Sequence, residues 1–181
     1  MIHFRDITAV LITKEKYYPP RVLESIIVSS FNTVIVQHGC EGVYRRFYRA
    51  IHTAYVYVQD DDAICPIEEL AKQAGPDFIT CAMKPHYIDE YANLKCCLIG
   101  WGAIFPAHMM SVLNKYLRSY ENDYFYKMGA DRIFTALNFP QKRLPLPITD
   151  MPWALDKGRM SMQADHYEIR RKVLERCESL S

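Results

Sequence analysis

Asp60, Asp61 and Asp62 stand side by side after a strand-like run, Ala54-Tyr55-Val56-Tyr57-Val58-Gln59. Adjacent carboxylates repel and raise one another's pKa. A divalent cation removes that cost. Side chains on an extended backbone alternate faces, so Asp60 and Asp62 point one way and Asp61 the other. Asp60 and Asp62 can therefore address one hard metal ion through oxygen. The competing reading is a solvated acidic turn. The buried-looking strand before the run, and the residues downstream, favour the metal.

Other residues could do related chemistry. Arg45 and Arg49 lie four apart, on one face of a predicted helix that also carries Arg46. Their forked donors suit phosphates and sugar hydroxyls. The alternative is a solvated face opposite Phe47 and Ile51. In Gly100-Trp101-Gly102, two glycines allow close backbone approach or a positive φ. The tryptophan between them could stack on a sugar ring, or could be a core residue in a tight turn. His166 falls in the first turn of a C-terminal helix; a lone histidine is usually structural or exposed, and only the aspartate run raises it, since a helix N-terminus favours a nearby diphosphate. Arg170, one turn on, could reach phosphate. Lys157 and Arg159 sit in a loop that could close over it.

The elements that must position these groups are legible as an alternation. Ile7–Thr13 and Thr33–Gln37 read as buried strands, the second ending at His38-Gly39. Pro19-Pro20 opens a helix running to about Ser30. Val43–Ala54 reads as a helix, since Phe47, Ala50, Ile51 and Ala54 share a face. The aspartate strand follows. Pro66–Ala74 is a short helix stopped by Gly75-Pro76. Asp77–Met83 and Lys95–Ile99 read as further strands. Pro106–Tyr120 and Gly129–Asn138 read as helices. Leu144–Ile148 is at most an edge strand, because proline interrupts it. Ala154–Gln163 reads as a mobile loop, and Asp165 with Glu168 opens the last helix.

This order predicts an α/β fold: one Rossmann-like domain over residues 1–181, its mostly parallel central sheet flanked by helices. Ligands of such sheets bind at the carboxyl ends of the strands. Thr13, His38 and Asp60 each end a predicted strand, so three groups point at one crevice.

Composition sets bounds. Half of the 181 residues are hydrophobic and the net charge is +1, so there is no global pull toward nucleic acid or membrane. No apolar run approaches the roughly 20 residues of a membrane span. The six cysteines form no CxxC pair, which argues against a zinc ribbon. The N-terminus lacks a signal-peptide pattern. Free thiols in a reducing cytoplasm are expected.

The string Tyr55-Val56-Tyr57-Val58-Gln59-Asp60-Asp61-Asp62-Ala63-Ile64-Cys65-Pro66 resembles the strand, DxD motif and following proline of glycosyltransferases with the GT-A fold. The resemblance runs from about Asp6 to Arg171 in motif order rather than in close sequence. It implies Mn2+ or Mg2+ held on the diphosphate of a nucleotide-diphosphate sugar. Asp62 would be the principal metal ligand, and Asp60 would contact ribose, sugar or metal-bound water, with Asp61 beside the donor. Thr13 and His38 would face the nucleoside, and Arg45 or Arg49 the donor sugar. Trp101 and Gly102 would line the acceptor, as the glycine-rich turn before an apolar run does in GT-A enzymes. His166 would complete the metal site. Mn2+ tolerates an imidazole among oxygens better than Mg2+ does. Inverting members carry an acidic pair at a helix start beneath the acceptor, the second acid being the base. Here Ala130 replaces the first and Asp131 keeps the second. Asp131 could instead cap its helix or pair with Arg132, and Asp123 is the runner-up.

Other reactions fit less well. A haloacid-dehalogenase-type phosphatase places DxD after its first strand, with a threonine following; here Ala63 follows. A Rossmann dehydrogenase needs GxGxxG, which is missing. A nucleotidyltransferase normally shows a glycine-rich phosphate loop after the first strand. Thr13-Lys14-Glu15-Lys16-Tyr17 has lysines but no glycine. A non-catalytic nucleotide-sugar-binding relative is the other alternative, against which three retained aspartates argue. The chain is short for the fold. The acceptor is then held by a partner subunit in an oligomer or presents itself; a saccharide, a protein and a modified nucleic-acid base all fit.

Overall fold

The computed structural model describes residues 2–13, 19–38, 46–47, 50–112, 129–138, 140–155 and 166–180. Strands and helices alternate: β1 (Ile7–Thr13), α1 (Pro20–Ile27), β2 (Thr33–His38), β3 (Tyr55–Asp60), β4 (Ala63–Ile64), α2 (Ile67–Gln73), β5 (Ile79–Met83), α3 (Pro85–Glu90), β6 (Ala103–Pro106), α4 (Ala130–Leu137), β7 (Gln141–Pro145), β8 (Thr149–Asp150) and α5 (His166–Glu178). Six strands form one sheet in the order β2-β1-β3-β6-β5-β7, and β4 pairs with β8 apart from it. β1 is parallel to β2 and β3, and β5 is parallel to β7. β6 runs antiparallel to both its neighbours, β3 and β5. The fold is α/β and Rossmann-like, with a mostly parallel sheet flanked by helices.

Every residue of β1, β5 and β6 is buried, because helices cover both faces of the sheet. The pleat splits the core in two. Ile7, Ala9, Leu11, Tyr57, Ala82 and Ile104 face Val22 and Ile26 of α1 and Leu70 of α2. Val10, Val56, Val58, Cys81, Ala103 and Phe105 face Phe47, Ile133 and Phe134 of α4, and Val173 of α5. Phe134 is the keystone of this second face, its ring 4.6 Å from that of Phe47 and 4.7 Å from that of Phe105. Burying one such ring contributes about 2–3 kcal/mol. Parity then decides the site: Asp60, two residues past Val58, belongs to the face that α4 covers.

Three segments depart from expectation. Ala50–Ala54 are not helical. Thr53 Oγ1 donates to Tyr55 O and bonds Thr8 Oγ1, each at 2.8 Å, so a hydroxyl competes with the helix and turns the chain into β3. Lys95–Ile99 form no strand. Their backbone groups are met by side chains instead: Arg143 donates to Leu94 O and Cys96 O, Gln141 to Lys95 O, and Thr135 Oγ1 accepts from Cys97 N. The strand comes later, as β6, so Pro106 ends a strand. Helical structure follows over residues 107–112, and the remainder of the expected Pro106–Tyr120 helix lies outside the described residues. So do Cys40, Asp123 and residues 156–163 of the expected mobile loop, which begins in a short 3-10 turn, Pro152–Leu155.

Cys65, Cys81, Cys96, Cys97 and Cys177 are buried free thiols. Among the described residues no helix is long and apolar enough to cross a membrane.

Candidate active site

Strand register brings the expected groups to one edge. Thr13 pairs with His38, and Ile12 with Asp60. Because β6 runs against β3, its entry lies at that same edge, and Gly100-Trp101-Gly102 immediately precedes it. The Asp60 N–H donates to Gly100 O at 2.7 Å. Residue 100 has no room for a side chain, since a Cβ there would lie 2.9 Å from Asp60 Cγ. Gly102 has φ 128°, and a Cβ would meet Cys65 Sγ at 2.6 Å. The turn before β6 is therefore fitted against the aspartate run.

The α4 face supplies what meets Asp60. Arg46 is fully buried at 0% exposure, and its guanidinium donates to Asp60 Oδ1, a carboxylate 31% exposed. Arg46 Nε lies 3.6 Å from Asp131 Oδ1, whose side chain is 15% exposed. Asp131 sits in the first turn of α4. One buried cation thus stands between the strand-end aspartate and the helix-start aspartate. Burial pushes the Asp131 carboxyl up to about 6. Arg46 pulls the other way, the negative charge of Asp60 adds to the rise, and Arg132 opposes it. Asp131 Oδ1 is buried and has no hydrogen-bond partner among the described residues.

The opposite face holds the turn. Thr13 Oγ1 donates to Asp61 Oδ2 at 2.6 Å, and both side chains are buried. The Trp153 indole N–H donates to Asp61 O at 3.2 Å. Gln59, buried beneath, accepts from the Tyr57 hydroxyl and donates to Ala63 O at 2.6 Å, spanning the three aspartates. The Met151 N–H donates to Asp62 O at 2.8 Å, stitching the turn to the β4–β8 pair. Asp61 is buried while Asp60 and Asp62 are half-buried; β3 ends at Asp60 and the next two aspartates form a turn, not the extended run expected.

Trp101 is half-buried. Its ring lies 5.1 Å from that of Tyr87, with Lys84 Nζ 5.0 Å from its centroid. Arg170 is paired with Glu90 and donates to the Tyr91 hydroxyl at 3.3 Å. Arg132 donates to that same hydroxyl at 3.2 Å, so Arg170 is one network removed from Asp131. His38 ends β2 and His166 opens α5, but their side chains lie outside the described residues, as do Arg45, Arg49, Lys157 and Arg159.

Arg46 was the arginine that sequence reasoning passed over. Its place beside Phe47 was the only hint, since Ala50–Ala54 are not helical and offer no helical face to share. Gln59 carried no motif, only its place at the end of a buried strand.

Asp60 and Asp62 are both half-buried, so one or two carboxylates are partly exposed at the turn. Such a set suits Mn2+ or Mg2+ held together with substrate phosphates. Among the described residues no group of three or more metal-ligating side chains gathers at one point, so the remaining ligands would come from the substrate or from His166.

No protein-family model matches the chain, and no curated protein does. Among solved structures, similarity is found to a glycosyltransferase involved in the glycosylation of the major capsid of PBCV-1. Identity is 10%, coverage is 96% of this chain and 99% of that one, and the TM-score is 0.42. HddC from Yersinia pseudotuberculosis is 11% identical over 97% of this chain and 99% of that one, with a TM-score of 0.39.

Proposed function

We propose that this chain is a metal-dependent glycosyltransferase of the GT-A type, acting as one domain in a reducing cytoplasm. It would move a sugar from a nucleotide-diphosphate sugar to an acceptor hydroxyl with inversion. The observation that carries this reading is the pairing across Arg46. It sets Asp60, at the end of a central parallel strand, within one guanidinium of Asp131.

The division of labour follows from the environments. Asp62, with Asp60, would hold Mn2+ or Mg2+. When bound, the ion neutralises charge on the departing nucleoside diphosphate. Asp131 is the base: its carboxyl titrates near 6, so it is ionised at neutral pH yet basic enough to accept a hydroxyl proton. The acceptor oxygen bonds to the anomeric carbon as the bond to the diphosphate oxygen breaks. Its proton passes to Asp131. Arg46 keeps the two carboxylates apart and oriented. Asp61, tied to Thr13, anchors the turn while its neighbours face the ligand.

The test is a panel of nucleotide sugars screened by thermal shift with and without Mn2+. A ligand of the native state raises the melting temperature by mass action. A metal-dependent rise for a nucleotide-diphosphate sugar, absent in Asp62→Asn, supports the reading. No rise across the panel overturns it.

A further inference from the structure

Four of the buried cysteines meet in one place. Cys96 and Cys97 are adjacent in sequence and hand their thiols to different partners. The Cys81 thiol, on β5, donates to Cys97 Sγ at 3.2 Å. The Cys177 thiol, in the last turn of α5, donates to that of Cys96. All four belong to the core face that α4 and α5 cover. Cys65 lies in the other core and bonds the Tyr57 hydroxyl instead. Thiols in pairs carry a reaction that alanine or valine in the same space would not.

The surroundings make one of these thiols the first to react. The bond from Cys177 holds the Cys96 thiol below its ordinary range; burial opposes this, and the charges of Arg132 and Arg143 add to it. Arg143 also donates to Cys96 O at 3.3 Å. Burial keeps the Cys97 thiol well above its ordinary range while its segment is closed. That segment, Lys95–Ile99, is held by the side chains of Arg143, Gln141 and Thr135 rather than by a strand ladder. It opens locally at lower cost than the sheet around it, which gives a small oxidant a way in.

We propose that Cys81, Cys96, Cys97 and Cys177 are an oxidative modification site, at which hydrogen peroxide closes two disulfides, Cys96–Cys177 and Cys81–Cys97. The Cys96 thiolate attacks a peroxide oxygen, the O–O bond breaks, and the leaving hydroxide takes up a proton to become water. The Cys177 sulfur then attacks the sulfenic acid. An S–S bond forms, and the hydroxyl leaves with the Cys177 proton as a second water. The two thiols give up two electrons and the peroxide takes them. A second peroxide does the same at Cys81 and Cys97 once the segment has opened. The disulfides tie β5 and α5 to the segment that leads into Gly100, and a thiol reductant releases them. None of this depends on the transferase reading.

Peptide mapping tests it. The folded chain would be treated with hydrogen peroxide, its remaining thiols alkylated after denaturation, and tryptic peptides identified by mass spectrometry. Cleavage after Lys95 separates Cys81 from Cys96-Cys97, and cleavage after Arg176 separates Cys177. The expected result joins the peptides of Cys81 and Cys177 to that of Cys96-Cys97, leaves Cys65 alkylated, and is reversed by a dithiol reductant. Cys177→Ala should lose its own link and keep Cys81–Cys97; Cys81→Ala should do the converse. Melting of the reduced variants shows that they fold, and the unsubstituted chain carries the test if they do not. All four thiols recovered free, at a peroxide dose that fully oxidises glutathione, overturns the site. So do sulfinic acid at Cys96 without a disulfide, and links that form only to Cys65 or between molecules.

Discussion

On the proposed function Asp62 and Asp131 divide the chemistry, and each can be tested alone. Asp62→Asn should abolish Mn2+-dependent nucleotide binding while the fold persists, since the remaining carboxylates repel less. Calorimetry with unchanged affinity would refute its role. Asp131→Asn should lower turnover by about 10²–10⁴-fold with nucleotide affinity nearly unchanged. Wild-type kcat/KM should fall below a pH near 6 as Asp131 takes up its proton, and the variant should lose that limb. The same group has a stability signature. Its folded pKa, about 6, exceeds the ordinary 3.8, so the folded state holds the proton more tightly. The contribution is full below the ordinary value and is lost as pH rises through about 6. Urea midpoints across that window should flatten in Asp131→Asn. Proton NMR of the product gives the stereochemistry; a retained anomeric configuration would reassign Asp131 to acceptor positioning. At this scale the aspartates were readable because charge clusters stand out in a string. Arg46 was not, because a cation on an apolar face is explained only by partners far away in sequence.

The elements that matter most are two connections. Arg46 lies in the stretch between β2 and β3, where the fully buried guanidinium serves two carboxylates. Arg46→Leu should cost roughly 3–5 kcal/mol, the usual range for leaving one side of a buried pair without its partner. The lower end is expected because Asp60 is 31% exposed. Urea unfolding measures it, and a loss below 1 kcal/mol would show the pair to be solvated. The turn before β6 is the other connection. Gly102→Ala adds a left-handed strain of about 1–3 kcal/mol to the Cys65 contact, and should reduce melting temperature and acceptor use together. The expected helix to Ala54 and strand at Lys95–Ile99 failed for one reason. At Lys95–Ile99 backbone groups are met by the side chains of Gln141 and Thr135, and before β3 the Thr53 hydroxyl bonds the distant Thr8 side chain; such long-range bonds leave no local period to read.

For the molecule as a whole, continuous apolar runs made β1, β3 and β5 legible, because strands covered on both faces need no alternation; β2 was read from a similar run although it is a half-buried edge strand. α3 escaped because its six residues open on proline and show no apolar stripe. The reversal of β6 was also invisible, since hydrophobicity does not encode direction. Topology now gives a sharp spatial prediction. A cleft of about 280 Å³ opens at the amino-terminal edge of the sheet, lined by Arg5, Thr8, Asn32, Thr33, His52 and Thr53. Nucleoside diphosphate with Mn2+ should pass that cleft by and appear at the carboxyl edge, across Thr13, His38 and Asp60. Crystals soaked with both would decide between the two edges.

On the proposed function, the guanidinium of Arg46 would also set how the protein waits between turnovers. A cluster of bare carboxylates would demand a resident ion to stay folded, and a chelator would then act as a denaturant. Here a counter-charge is built into the chain. On the proposed function, the ion would then have no scaffolding duty and would travel in and out with the nucleotide, as part of the cargo. Dialysis against a chelator should leave the melting temperature unmoved, Mn2+ alone should raise it little, and only the two ligands together should raise it strongly.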